Sequence, residues 1–346
     1  MKPGRFFLIS VLILSVLLVW DARARAITLE QLAEGAKKER SLEFYAPTQL
    51  TPAGSQALAD AFNKMYGLNI TVNYSPAGAG MVRDIGRVVG SAAAGAPPDW
   101  DVMVLTDAHH ATLALRKMHQ ALDYKQLGID PRTIYYNNGS ISIANQFALP
   151  GYNHKVLPAR DVPKSWEDLL DPKWKGGKLG MTVATHHLSR LAAGPWGEEK
   201  TTRYVKALAQ QGLSLGTLGE TYSRLQLGEI LVAVTVIDGY IHTAKLAGAP
   251  IAHAEGIEPV ISPALHSGVV KGAHHPNAGH LMTVFLTTPK AQEIWDKYAG
   301  ESSAFIRGTR AYGYVQGKQV LYMAEKDAEL VDRLAREYGR ILGFTN

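Results

Sequence analysis

Three pairs of adjacent histidines, His109-His110, His186-His187 and His274-His275, are the residues most obviously equipped for chemistry. Neutral imidazole is a common ligand for zinc, nickel or copper, and it equally serves as a hydrogen-bonding group for organic anions or as a helix cap. Spacing limits the metal reading. Adjacent side chains on an extended segment point to opposite sides, so each pair offers one inward ring at most. No HExxH or similar local chelating pattern accompanies them. Asp238 follows the apolar run Leu231 to Val236 directly, and a carboxylate so placed needs a partner, either a ligand amine or an arginine such as Arg190 or Arg224. Tyr240 and Tyr222 suit the aromatic wall of an organic-solute pocket, or ordinary packing between lobes. Gly78-Ala79-Gly80 opens a helix and offers free backbone N–H groups to an anion. With Arg83 in place of a third glycine it is not a dinucleotide fingerprint, and its plainer reading is a flexible turn. No GxSxG elbow or Walker loop is present, and the chain has 0 cysteines, so the signatures of an enzyme are missing.

These residues must be held by an alternation of short β-rich runs and amphipathic helices, the pattern of α/β architecture with mainly parallel sheets. A strand from Leu42 to Ala46 leads to a helix from Gly54 to Tyr66. A strand from Asn69 to Tyr74 leads through Gly78-Ala79-Gly80 to a helix from Met81 towards Ala94. A third, Asp101 to Leu105, leads through Asp107 to His110 into another helix. Repeated strand-loop-helix units make a doubly wound lobe. Strands at Lys178 to Val183 and Leu231 to Val236, with helices from about His187, from Lys200 to Gln211 and from Glu325 to Ile341, predict a second. Ligands of open α/β sheets bind beyond the carboxyl ends of strands. That rule selects Thr48 and Gln49, then Gly78, Ala79 and Gly80, then Asp107 and His109 from the first lobe. From the second it selects Thr185, His186, Asp238 and Tyr240, with Tyr222 beside them.

Residues 1–26 have the parts of a secretory signal: Lys2 and Arg5, an apolar run from Phe6 to Trp20, and the small-x-small site Ala24-Arg25-Ala26. The run is shorter than the ~20 residues of a membrane-spanning helix. Of the formal charge of +5, four basic residues against Asp21 place +3 in this segment and leave +2 for the rest. That balance, with no basic run among aromatics, predicts no nucleic-acid partner. Absence of cysteine suits an oxidising periplasm. A mature chain of 320 residues, 346 less 26, exceeds one ordinary core and predicts two domains.

The stretch Ser165-Trp166-Glu167-Asp168-Leu169-Leu170-Asp171-Pro172-Lys173-Trp174-Lys175-Gly176-Gly177-Lys178 resembles a segment in the second lobe of periplasmic solute-binding proteins of ABC importers, in the branch that includes the ferric-ion binders. Phe62 to Gly67, Trp100 to Leu105, Gly228-Glu229-Ile230, Ala247 to Ile251 and Lys271 to Ala278 follow the same family in order. The resemblance implies a type II periplasmic binding protein: two doubly wound α/β lobes joined by a hinge and closing on solute. It implies lobe 1 over 27–140 and 262–305, and lobe 2 over 141–261 and 306–346. It further implies a monomer without catalytic residue or cofactor, whose partners are a small-molecule solute and the transmembrane permease. The ferric binders carry paired tyrosines where this chain has Gly239-Tyr240, and Gln49 stands near where many carry histidine. A hard ferric ion wants several anionic oxygens. The expected solute is therefore an anionic organic molecule, with delivery of a transition metal, free or chelated, as the alternative.

Overall fold

The computed structural model describes residues 27–77 and 81–344; the expected signal segment and the Gly78-Ala79-Gly80 loop lie outside the described residues. Two mixed sheets each anchor one lobe. The first runs in the order Thr71–Ala77, Ser41–Pro47, Val102–Thr106, Ala264–Val269, Ser140–Asn145, Ile134–Tyr135. Its first three strands are parallel, with Phe44 opposite Val102, whereas Ala264–Val269 runs antiparallel to both neighbours. The second sheet runs Val320–Tyr322, Val260–Ser262, Ala148–Asn153, Val232–Ile237, Leu179–Thr182, Ser214–Gly216. Expectation was of mainly parallel sheets. The antiparallel pairs arise because strands that carry the chain from one lobe to the other enter each sheet against the direction of the strand-helix units.

Continuous burial characterises the central strands. Val102–Thr106 and Val232–Ile237 are rich in β-branched and apolar residues, and both are covered on two faces. Helix Thr51–Tyr66 begins before the expected Gly54, with proline in its first turn, and stops at Gly67 in the left-handed region at φ 60°. Helix Ala328–Leu342 buries Val331, Leu334, Tyr338 and Leu342 against helices His186–Ala193 and Gly197–Ala209 of the second lobe.

The tryptophan-rich segment folds as two short 3-10 turns, Glu167–Leu170 and Pro172–Trp174. Ser165 Oγ accepts the Asp168 N–H at 3.1 Å, and the Asp171 carboxylate accepts the Lys173 N–H at 2.8 Å. Trp166 is fully buried, and its indole donates to the Pro259 carbonyl at 3.0 Å. The segment closes the core of the second lobe.

Three chain crossings join the lobes and are tied together by Asn145. Its N–H donates to the Ser302 carbonyl at 2.9 Å, its amide oxygen accepts from Ala304 N at 2.8 Å, and its amide nitrogen lies 3.3 Å from Ser262 Oγ. Beside it Gln146 N donates to the Pro263 carbonyl at 2.8 Å. The first crossover thus occupies Gln146 and Phe147, and we infer from the sheet membership of Ser140–Asn145 that the first lobe runs through Asn145 rather than ending after residue 140.

Candidate ligand site between the lobes

Strand Val102–Thr106 of the first lobe delivers helix Asp107–Leu115, and strand Leu179–Thr182 of the second leads to helix His186–Ala193. The two helix starts meet. The Asp107 carboxylate forms an ion pair with the Arg190 guanidinium across the lobe boundary, and each side chain is only 1% exposed. Asp107 is also held from behind, accepting from Ala108 N at 2.7 Å and from Ala264 N at 3.3 Å. Arg190 donates one Nη to the His186 carbonyl at 2.7 Å, while its Nε–H has no partner. A buried ion pair is tolerable only when desolvation is offset by attraction and by further hydrogen bonds. Asp107 meets that condition fully and Arg190 only in part.

Phenol and imidazole groups surround the pair. Tyr136 donates its hydroxyl to the Asp107 carbonyl at 3.1 Å, and its N–H donates to the Glu325 carboxylate of the second lobe. His109 Nδ1 lies 2.7 Å from Thr106 Oγ1. Burial is the first cause that depresses the His109 imidazole to a pKa of about 4, and the Arg190 charge adds to it against Asp107. His186 is pushed well below the usual histidine range by burial, then by His187, Arg190 and His109. Both rings are therefore neutral near pH 7 and offer hydrogen bonds without charge.

His109-His110 and His186-His187 lie on helices rather than on the extended segments expected. His110 turns into the first lobe, 2.9 Å from His119 Nε2 and 2.9 Å from the His266 carbonyl. His187 turns into the second lobe, 3.2 Å from Thr235 Oγ1. His275 binds Asp101 at 2.7 Å and Ser41 at 3.0 Å within the first lobe and is structural. Among the described residues no group of three or more His, Cys, Asp or Glu side chains is placed to hold a metal ion.

Asp238 sits in the hinge. It accepts from Phe147 N at 2.9 Å and pairs with Arg310 at 3.3 Å, so neither expected arginine is its partner. Arg190 is taken by Asp107, and Arg224 donates to Ser214 Oγ at 3.0 Å and the Leu215 carbonyl at 2.9 Å. Next to Asp238, Glu301 is fully buried and accepts from Gln146 Nε2 at 2.8 Å. Burial first, and the Asp238 charge second, raise the Glu301 carboxyl to about 8, while burial raises Asp238 to about 6 against the pull of Arg310. A Cβ on Gly239 would lie 2.5 Å from Glu301 Oε1 and 3.0 Å from the Ala299 carbonyl, which explains why no tyrosine occupies that position.

The other expected residues divide. Tyr240 is half-buried with its ring 4.3 Å from that of Tyr222. Tyr222 is 2% exposed within a second-lobe core cluster, and its hydroxyl has no partner. Thr48 and Gln49 form a 3-10 turn that packs on helix Asp238–Leu246 across the hinge. Thr185 spends its hydroxyl on the Ala335 carbonyl at 2.7 Å. The structure brings Asp107, His109 and His186 together at the lobe boundary, and groups Thr48, Gln49, Asp238 and Tyr240 at the hinge. Sequence reasoning missed Tyr136, Gln146, Glu301, Arg310 and Glu325. One signal was available: Tyr135-Tyr136 precedes Asn137-Asn138-Gly139, a turn in which residues 136, 137 and 138 have φ of 54°, 52° and 65°.

The family model described as bacterial extracellular solute-binding protein matches residues 57–305. The chain belongs to that family. Among solved structures of the same fold, iron-bound HitA from Pseudomonas aeruginosa superposes with a TM-score of 0.70 at 18% identity, covering 88% of this chain and 99% of that one. A Trichodesmium protein in complex with iron and citrate ligands gives 0.67 at 17% identity, covering 88% of this chain and 100% of its own. An ABC transporter substrate-binding protein from Bradyrhizobium japonicum gives 0.70 at 16%, covering 87% and 99%. Among curated proteins none matches this sequence. At these identities the structural likeness is one of fold. As an extracellular solute-binding protein, the chain has a two-lobe body, and no described helix is long and apolar enough to cross a membrane.

Proposed function

We propose that this solute-binding protein captures a small organic solute bearing an anionic group in the cleft between its lobes, and delivers it as a periplasmic monomer to an ABC permease. The observation that carries the reading is Arg190, a buried guanidinium at the lobe boundary with an unpartnered Nε–H and two neutral imidazoles beside it. When the lobes part, Arg190 loses Asp107, and a carboxylate or similar group is the chemistry that restores its pairing. Helix starts at Asp107 and His186 add partial positive charge on both sides. Titration calorimetry of the wild type and Arg190→Gln against a panel of small carboxylates tests the proposal. Wild type should bind at least one member, and the variant should lose about 100-fold, the cost of one buried charge-assisted contact. Equal affinity of the two proteins would overturn it.

The metal alternative draws support from iron-bound relatives of the same fold. Against bare ferric ion stands the donor set: Gly239 occupies the place of one of the paired tyrosines, and Glu301 and Ala299 leave no room for a side chain there. A chelated ion whose organic ligand presents carboxylates fits Arg190 better. Ferric titration of the apo protein separates the cases, since a tyrosinate-to-iron absorption band that vanishes in Tyr240→Phe would establish bare iron as the cargo.

A further inference from the structure

We propose that the solute is a zwitterion, and that Asp107 selects its cationic group while Arg190 takes its anionic one. This rests on the reading of Arg190 as the anion anchor. Asp107 and Arg190 neutralise each other across the lobe boundary, both almost wholly buried. Asp107 is fixed by two backbone N–H groups, at 2.7 and 3.3 Å, and Arg190 by the His186 carbonyl at 2.7 Å, so each keeps its place in its own lobe when the lobes separate. Other groups facing the pair are His109, His186, His187 and His266, all neutral, the phenols of Tyr135 and Tyr136, and Glu325, whose carboxylate is engaged by Tyr136 N–H.

Glu325 is exposed to solvent, which screens it, so among the buried groups formal charge is balanced before the solute enters, and the solute must leave it balanced. A simple anion inserted between the lobes satisfies Arg190 but buries Asp107 against a second negative charge. Leaving one member of a buried pair without its partner costs roughly two to three orders of magnitude in affinity. A simple cation has the reverse defect. A solute with an ammonium at one end and a carboxylate-like group at the other replaces Arg190 for Asp107 and Asp107 for Arg190 at once. The existing pair has the role of an internal stand-in for those two ends.

The experiment uses the mature protein with short α- and ω-amino carboxylates, each matched with the carboxylate lacking the amine and the amine lacking the carboxylate. Native mass spectrometry of the purified protein identifies any retained solute alongside. Calorimetry should show at least one zwitterion bound about 100-fold more tightly than either matched half. In Asp107→Asn, which keeps an oxygen for Ala264 N–H, that preference over the des-amino carboxylate should collapse to within about 3-fold. Asp107→Glu, which keeps the charge, should retain most of it. Des-amino carboxylates binding wild type as tightly as zwitterions, and lost in Arg190→Gln, would overturn the zwitterion while leaving the anion reading in place. Binding indifferent to both Asp107 and Arg190, or confined to ferric ion, would overturn both. A retained solute without a cationic nitrogen, or no member of the panel binding, would also overturn the zwitterion.

Discussion

Asp107 and Asp238 occupy equivalent places in the two lobes and do different work. Each follows a buried central strand, opens a helix, accepts a backbone N–H from a segment that crosses between lobes, and pairs with an arginine. Arg190 comes from the opposite lobe and is 1% exposed, so that pair exists only while the lobes touch. Arg310 is 45% exposed, binds Asp296 at 2.9 Å as well, and follows the third crossing closely, so that pair belongs to the hinge. On the function proposed above, the same local motif is a contact that a solute replaces in one lobe and a fixed point at the hinge in the other. What separates them is the lobe that supplies the arginine.

The largest effect expected from breaking this comparison is on lobe contact. Arg190→Gln leaves Asp107 buried without its counter-charge, a penalty of about 3–5 kcal/mol to the arrangement in which the lobes touch. The lobes can part and rehydrate Asp107, so scattering should show an expanded molecule while the unfolding midpoint moves little. Asp107→Asn with Arg190→Gln should recover much of the compactness, and a double-mutant cycle that sums to simple additivity would show that the two residues are not coupled.

A smaller loss belongs to the hinge. Asp238→Asn weakens contacts to Phe147 N and Arg310 and should cost about 1–3 kcal/mol of unfolding free energy in denaturant titration. Solute affinity should fall less than in Arg190→Gln. A greater loss of affinity than of stability would move Asp238 into the ligand site and erase the distinction drawn here.

Most graded is the response to pH. His109, His119, His187, His253, His266 and His280 are depressed by burial to values between about 3 and about 4, from 6.5. Their contribution is fully present above pH 6.5 and is lost as pH falls towards 4. Glu301 runs the other way: raised from 4.5 to about 8, its contribution is fully present below pH 4.5 and lost as pH rises to 8. Asp238, raised from 3.8 to about 6, runs the same way as Glu301, and where the windows overlap the six histidines outnumber these two carboxyls, so stability should peak near pH 6.5. Above the peak it should decline gently, and Glu301→Gln, which can still accept from Gln146, should flatten that decline. Thermal unfolding from pH 4 to 9 reads both limbs.

Much of the fold was legible. Apolar runs and turn residues marked most of the strands, but the expectation that each histidine pair offers one ring rested on extended backbone, whereas His109-His110 and His186-His187 lie in helices Asp107–Leu115 and His186–Ala193. The segment around Trp166 carried the resemblance to the family although it seals a core. Pairings were not legible, because they join residues far apart in the chain. Arg190 reaches Asp107 across 83 positions, and Arg310 reaches Asp238 across 72. No local rule assigns which arginine meets which aspartate. Gly239 was read as a lost tyrosine, and only the approach of Glu301 and Ala299 shows why a side chain has no room there.

The central claim is that the Asp107–Arg190 contact holds the lobes together and yields to solute. Because the chain has 0 cysteines, spin labels attach only where cysteine is introduced. Val82 in the first lobe and Leu227 in the second are each 74% exposed and suit that purpose. Pulsed electron-spin distance measurement on the doubly labelled protein should give a narrow distribution in the otherwise unaltered chain and a broader, displaced one when Arg190→Gln is added, with bound solute sharpening only the former. Identical distributions with and without Arg190 would contradict the account.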